Sequence, residues 1–256
     1  VLGTVNVAAW RFAAVGKHPA ARDFLRVGSP SPLVEGLAAW VDAGYAGIGE
    51  KRRPAAETCS FRFWARGAAP GAVACGVVRD SADRVGRPYP LLLAGTGPLP
   101  GWEGRWDLLP YACLPVWERM EHIASRRYDG AAAVETAVGE LVPPRPDWDG
   151  YARRRDEEAA ILAPPGPAGP RGAAEKGGGD GTVFVELSGT GAAAEAAALC
   201  RRRLLGGEAE PPGAVFLGGT PARVVLGIFR RPLAAADFVR LWTAGGRRDP
   251  AEGGAD

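Results

Sequence analysis

The chain has 256 residues, 46% hydrophobic and 23% charged, an ordinary globular composition that suffices for one large domain or two small ones. Its 31 Lys plus Arg against 29 Asp plus Glu leave a formal charge of +2, without the basic excess of a protein that tracks phosphates, so no nucleic-acid partner is expected. The longest charge-free run, Pro88 to Trp102, is too short for a membrane span and carries four prolines, so no direct membrane insertion is expected.

Val1-Leu-Gly-Thr-Val has no basic segment of an export signal, and Arg11 arrives before an apolar run can form, which points to the cytoplasm. The four cysteines, Cys59, Cys75, Cys113 and Cys200, form no CxxC pair, and His18 and His122 are not spaced to join them in a zinc site. They read as small buried hydrophobes, reduced as in a cytoplasmic protein. Neither a metal nor another cofactor is expected.

In chain order, Val7 to Val15 reads as a strand rich in Trp, Phe and Val. Ser31 and Pro32 then supply an N-cap and a first helical residue for a helix carrying Leu33, Val34, Leu37, Trp40 and Val41. Cys59 to Ala65 alternates Phe61 and Phe63 against Arg62, a strand with one wetter face, and Ala72 to Val78 and Pro90 to Ala94 are further buried strands. A second helix is predicted over Asp107 to Arg126, with Pro115 as a possible kink, and a third over Gly130 to Leu141. Arg153-Arg-Arg-Asp-Glu-Glu reads as a solvated helix face.

Residues 163–181 contain almost no bulky apolar side chain and cannot offset their ordering entropy, so they read as a disordered Pro/Gly-rich linker. Beyond it come a strand over Thr182 to Leu187, an Ala-rich helix over Ala192 to Leu205, and strands at Ala214 to Leu217 and Val224 to Phe229. Gly218-Gly-Thr-Pro between the last two looks like a hairpin loop, and Leu233 to Trp242 closes as a helix. The fold class expected is α+β, a largely antiparallel mixed sheet with helices packed on its faces, interrupted by the linker. The division is 1–145 as an α/β domain, 146–181 as a polar helix and linker, 182–243 as a C-terminal β-α-β-β-α half, and 244–256 as a disordered tail. Whether the two halves share one sheet is left open by this pattern.

No GxxxxGK[ST] phosphate loop, GxSxG elbow or HExxH pair occurs, and Gly189-Thr-Gly lacks the spacing and lysine of an anion-binding turn. No catalytic residue can be nominated. Two polar, turn-rich segments stand out instead. In the first, Gly16-Lys-His-Pro-Ala-Ala-Arg-Asp-Phe-Leu-Arg, Gly16 and Pro19 end the strand, while Lys17, Arg22, Asp23 and Arg26 supply both charge signs. Its simplest reading has Asp23 capping a short helix and pairing with Arg26. In the second, Ser81 to Leu93, Ser81, Asp83 and Gly86 make a polar turn, and Pro88 and Pro90 hold Tyr89 extended at an edge or irregular strand entry. Arg84 and Arg87 bracket the glycine and suit bidentate pairing with a carboxylate: Asp83, Asp23 or a partner's. A hairpin with exposed arginines is the plain alternative.

Gly16, Lys17, Pro19, Asp23 and Phe24, followed by Ser81, Asp83, Arg84, Val85, Gly86, Arg87, Tyr89, Pro90 and Leu91, resemble the motifs of the TagF family (also called ImpM) of type VI secretion accessory proteins. The resemblance covers roughly residues 7 to 125, and departs from the family at Arg22, where glycine is common. It implies a cytoplasmic, non-enzymatic protein that represses the secretion apparatus after translation by protein–protein binding, with a forkhead-associated scaffold protein as partner. The motif residues would then form one polar cluster or a partner surface. Two alternatives remain: an enzyme that clamps a phosphate-bearing ligand with Lys17, Arg84 and Arg87 and uses Asp23 as base, or a structural piece of the baseplate. Oligomeric state is not specified by the sequence.

Overall fold

Runs of Phe, Trp and Val with alternating or continuous burial build the strands, and every strand pair is antiparallel. The computed structural model describes residues 9–48, 58–162, 176–177, 181–187, 192–205 and 210–244. The strands are β1 (Arg11–Lys17), β2 (Phe24–Gly28), β3 (Ser60–Arg66), β4 (Ala72–Arg79), β5 (Leu91–Pro98), β6 (Lys176–Gly177), β7 (Thr182–Leu187), β8 (Ala214–Thr220) and β9 (Arg223–Phe229). Among the described residues they form one nine-stranded sheet in the order β2-β1-β5-β4-β3-β8-β9-β7-β6. The strands before and after the linker therefore share a sheet, joined where β3 pairs with β8 from Ser60↔Gly219 to Ala65↔Ala214.

Helices cover both faces, as expected of an α+β chain whose central strands are buried on each side. On one face α1 (Pro32–Ile48) lies beside α7 (Ala235–Ala244), and Trp40, Val41, Phe238 and Trp242 pack onto Phe61, Phe63 and Phe216. Gly44 permits the close approach of the two helices, because a Cβ there would stand 2.3 Å from the Phe238 Cβ. Ser31 caps α1 as expected, its Oγ accepting the Val34 N–H at 3.3 Å. The opposite face carries a 3-10 turn (Glu103–Leu108), α2 (Leu109–Ala112), α3 (Leu114–Ser125), α4 (Ala131–Gly139), α5 (Trp148–Leu162) and α6 (Ala192–Leu205). Trp102, Trp106, Trp117, Met120 and Ile123 are fully buried there.

Five local expectations are corrected. Residues 24–28 form strand β2 rather than a helix capped by Asp23. Leu25 and Val27 turn inward while Phe24, Arg26 and Gly28 stay exposed, and Arg26 pairs with Glu35 of α1 instead of Asp23. Strand β1 starts at Arg11, not Val7; residues 1–8 lie outside the described part. The segment 107–126 is not one helix: Pro110 and Pro115, each without an N–H, sit in the first turns of α2 and α3, and the run divides at Cys113. The β8–β9 turn is at Pro221-Ala222, because Gly218 and Gly219 belong to β8. Those glycines serve the approach to β3, since a Cβ on Gly218 would stand 2.1 Å from the Ser60 carbonyl oxygen. Finally, α7 begins at Ala235 because the Asp237 carboxylate accepts the Ala234 N–H at 2.7 Å, fixing the start of the helix. Within the stretch expected as a disordered linker, Lys176 and Gly177 pair with Phe184 and Val183 as β6; the expectations for residues 163–175, 178–180, 188–191 and 245–256 lie outside the described residues.

Arg155, read as solvated, is instead buried in α5 and bonded through Nη1 to Asp107 Oδ2 at 2.5 Å. The α5 face that carries it is covered by the 3-10 turn and α6, so its charge must be met internally.

Candidate functional site

The two polar segments meet at the end of the sheet where β1 leaves and β5 enters. Gly16 pairs with Leu91 in the β1–β5 register, which places Lys17 beside the Ser81–Pro90 turn. Gly16 has φ +132, and a Cβ would stand 2.1 Å from the Pro90 carbonyl oxygen, so only glycine lets the two segments touch. Ala82 and Pro88 form an isolated bridge, and the Tyr89 N–H donates to the Ser81 carbonyl at 3.0 Å, closing the turn. The prolines therefore mark an irregular entry: β5 is an inner strand flanked by β1 and β4.

Asp83 is the centre of this turn. Its side chain has 0% exposure. Oδ2 accepts from Lys17 Nζ at 3.1 Å and from Arg87 Nε at 2.7 Å. Oδ1 accepts the Arg87 N–H at 2.9 Å and the Val85 N–H at 3.1 Å. Burial acts to raise the Asp83 carboxyl, but the bonds from the Arg87 backbone, Lys17, the Arg87 guanidinium and the Val85 backbone overcome it and hold it well below the usual carboxylate range. Gly86, at φ +85, supplies the left-handed residue that lets the backbone wrap the carboxylate. Arg87 continues outward: Nη2 donates to the Arg22 carbonyl at 2.7 Å and lies 3.6 Å from Asp23 Oδ1. Asp23 is otherwise exposed and accepts the Phe24 N–H at 2.8 Å.

Aromatic rings flank the cluster. The Phe24 ring meets Tyr89 edge-on at 4.5 Å, and Tyr89 meets Tyr45 at 4.9 Å. The Tyr89 hydroxyl donates to Asp42 Oδ1 at 3.1 Å, and burial together with Asp42 pushes the phenol up. Sequence reasoning did not single out Asp42 and Tyr45; their i,i+3 spacing on α1, facing one side, is the signal that could have found them. It also weighed His18 only as a zinc ligand. His18 is fully buried, its Nδ1 accepting the Ala20 N–H at 3.0 Å while Nε2 donates to the Ile123 carbonyl at 3.1 Å. Burial lowers its pKa, so it is neutral and ties the β1–β2 loop to the end of α3.

The phosphate-clamp alternative needs Lys17, Arg84 and Arg87 to face one open pocket. Lys17 and Arg87 instead close on Asp83, and Asp23 lies on the outside. Arg84 is apart from them: its N–H donates to the Ala21 carbonyl at 2.7 Å, while its side chain lines a separate cavity with Pro19. Among the described residues no group of three His, Cys, Asp or Glu could hold a metal ion, and no helix is long and apolar enough to cross a membrane.

Residues 13–142 match the family model described as the TagF N-terminal domain, type VI secretion system-associated. The chain belongs to the TagF family. It is thereby an accessory protein of the type VI secretion system. The matched TagF_N segment contains both polar motifs and all of β1 to β5 except the first two residues of β1. Among solved structures, the crystal structure of PA0076 from Pseudomonas aeruginosa PAO1 is similar, at 22% identity and a TM-score of 0.53, covering 96% of this chain and 100% of that one. That likeness concerns the fold, and supports the α+β assignment across both halves. None of the curated proteins compared with the chain matches it.

Proposed function

We propose that this TagF-family chain is a non-enzymatic, cytoplasmic repressor of the type VI apparatus, acting after translation by binding another protein. A forkhead-associated scaffold protein is the partner this reading favours. The supporting observation is an accounting of the second motif. Asp83, Gly86 and Arg87 build the turn, Ser81 closes it, and Tyr89 and Pro90 pack it onto α1 and β1. The side chains of Arg84 and Val85 have no such use: both are exposed at the tip, Val85 to 66%, and Phe24, which meets Tyr89, is 55% exposed. A rigid turn that displays an arginine and apolar groups suits a binding surface, where a preorganised loop costs little ordering entropy.

Capture of the purified scaffold protein tests this reading. Arg84→Glu and Val85→Asp are expected to weaken capture while leaving the thermal midpoint near that of the parent. Equal losses of binding and stability would count against a binding surface. Deleting the gene is expected to raise effector secretion at unchanged apparatus levels; unchanged secretion refutes repression. Co-purification with assembled sheath at fixed stoichiometry would favour the baseplate alternative.

A further inference from the structure

The side chain of Arg84 lines a cavity of about 430 Å³ together with Pro19, Ala20, Arg127, Tyr128 and Asp129. Its walls come from three segments distant in sequence: the β1–β2 loop, the Asp83–Arg87 turn and the α3–α4 connection. Each is held in place. The turn is locked through Asp83, and the Arg84 backbone through the Ala21 carbonyl. His18 ties the loop carrying Pro19 and Ala20 to the end of α3, and its ring lies 5.8 Å from that of Tyr128. Tyr128 also has the Arg126 guanidinium over its ring at 5.5 Å.

The two cationic walls are unspent. Among the described residues neither Arg84 nor Arg127 makes an ion pair, although Asp129 lies in the same wall. What sets Arg84 and Arg127 apart from other exposed arginines is that both line one cavity. Two guanidiniums on one concave, fixed surface repel each other, and an oxyanion between them relieves that repulsion through charge-assisted, forked hydrogen bonds. The apolar floor of Pro19, Ala20 and the Tyr128 ring would take the carbon stem that carries such a group.

We infer that this cavity is an oxyanion pocket, which takes a carboxylate or phosphate-bearing side chain of the protein partner. The inference rests on the binding role proposed above and names the chemistry that the partner must present. Free small anions are the probes, so that the pocket is tested apart from the partner.

The full chain is titrated with acetate, with inorganic phosphate and with sodium chloride at matched ionic strength, following the arginine side-chain N–H signals by NMR. Arg84 and Arg127 are expected to shift together and saturably with acetate or phosphate and not with chloride, while exposed Arg119 stays still. Saturation by acetate marks a carboxylate source, and saturation by phosphate alone marks a phosphorylated one. Arg84→Ala should abolish the response at Arg127. Responses that match chloride, or that are independent at the two residues, overturn the pocket. In scaffold capture, Arg127→Glu should weaken binding roughly tenfold or more, the loss of a charge-assisted contact. A chain that binds oxyanions but no scaffold keeps the pocket and loses the reading of the scaffold as partner. One that binds scaffold with Arg127→Glu unaffected loses the pocket and keeps that reading.

Discussion

Lys17 and Asp83 are joined at 3.1 Å although they come from separate polar segments, and the Asp83 side chain, which also bonds Arg87, is wholly withdrawn from solvent. The motif pair is thus a cross-link between the end of β1 and the entry to β5. Asp83→Asn keeps the shape but loses the charge that four donors from three residues serve, and Asp83→Ala also frees the backbone of Val85 and Arg87. Both variants should unfold several degrees below the parent in thermal melts, Asp83→Ala the more so, with Lys17→Met intermediate.

Gly16 and Gly86 both have positive φ but differ in their surroundings. At Gly16 a Cβ meets the Pro90 carbonyl at 2.1 Å, whereas at Gly86 nothing lies within 4 Å. Gly16→Ala is expected to cost about 3 kcal/mol or more, through strain and loss of the β1–β5 contact. Gly86→Ala should cost only about 1–2 kcal/mol, the left-handed backbone penalty alone. Chemical denaturation of the two variants checks the contrast.

The Arg155–Asp107 pair fastens α5 over the 3-10 turn from within. Removing one partner strands the other: Arg155→Ala should cost about 3 kcal/mol. Replacing both, as Arg155→Met with Asp107→Leu, should recover most of that loss. A double variant no more stable than the single one would show that the charges are needed for more than mutual neutralisation.

Acid should weaken the fold in two stages. His18 is neutral in the fold with its pKa lowered from 6.5, so the unfolded chain binds the extra proton. Stability is therefore full above about pH 6.5 and declines as pH falls below it. Protonation would also break the Ala20 N–H bond to Nδ1. Asp83 has a depressed pKa, so its contribution is present above about pH 4, the unfolded carboxyl value, and is lost below that. Denaturant midpoints measured across this range in the parent and in His18→Gln check the first stage, because the variant should lack the slope near pH 6.

Elements of strong local character are legible in the amino-acid pattern alone. Phe61 and Phe63 about Arg62 announce β3, and Ser31-Pro32 announces α1, because the deciding physics lies within a few neighbouring residues. Strand β2 is not legible in this way, since its five residues mix Arg with Leu and Val and owe their extended form to hydrogen bonds from β1. Arg155 is misread for a similar reason: in a run of charges, only the helix's orientation against its neighbours decides which one is buried. In the site, the residue types of Asp83 and Arg87 are readable from the motif, but their closure on Lys17 depends on the β1–β5 register. The cavity beside Arg84 depends on the α3–α4 connection, which lies far along the chain and carries no motif of its own.

The pairing of β3 with β8 has a consequence for biosynthesis. Until Ala214 to Thr220 leave the ribosome, β3 has β4 on one side and an open ladder on the other. At ordinary elongation rates of about 5–20 residues per second, that edge stays unpaired for roughly 7–30 s. It carries Phe61, Phe63 and Trp64, all destined for the core, the composition most prone to pair with a neighbouring nascent chain. The emerging protein therefore carries an open, aromatic strand edge until its last hairpin arrives.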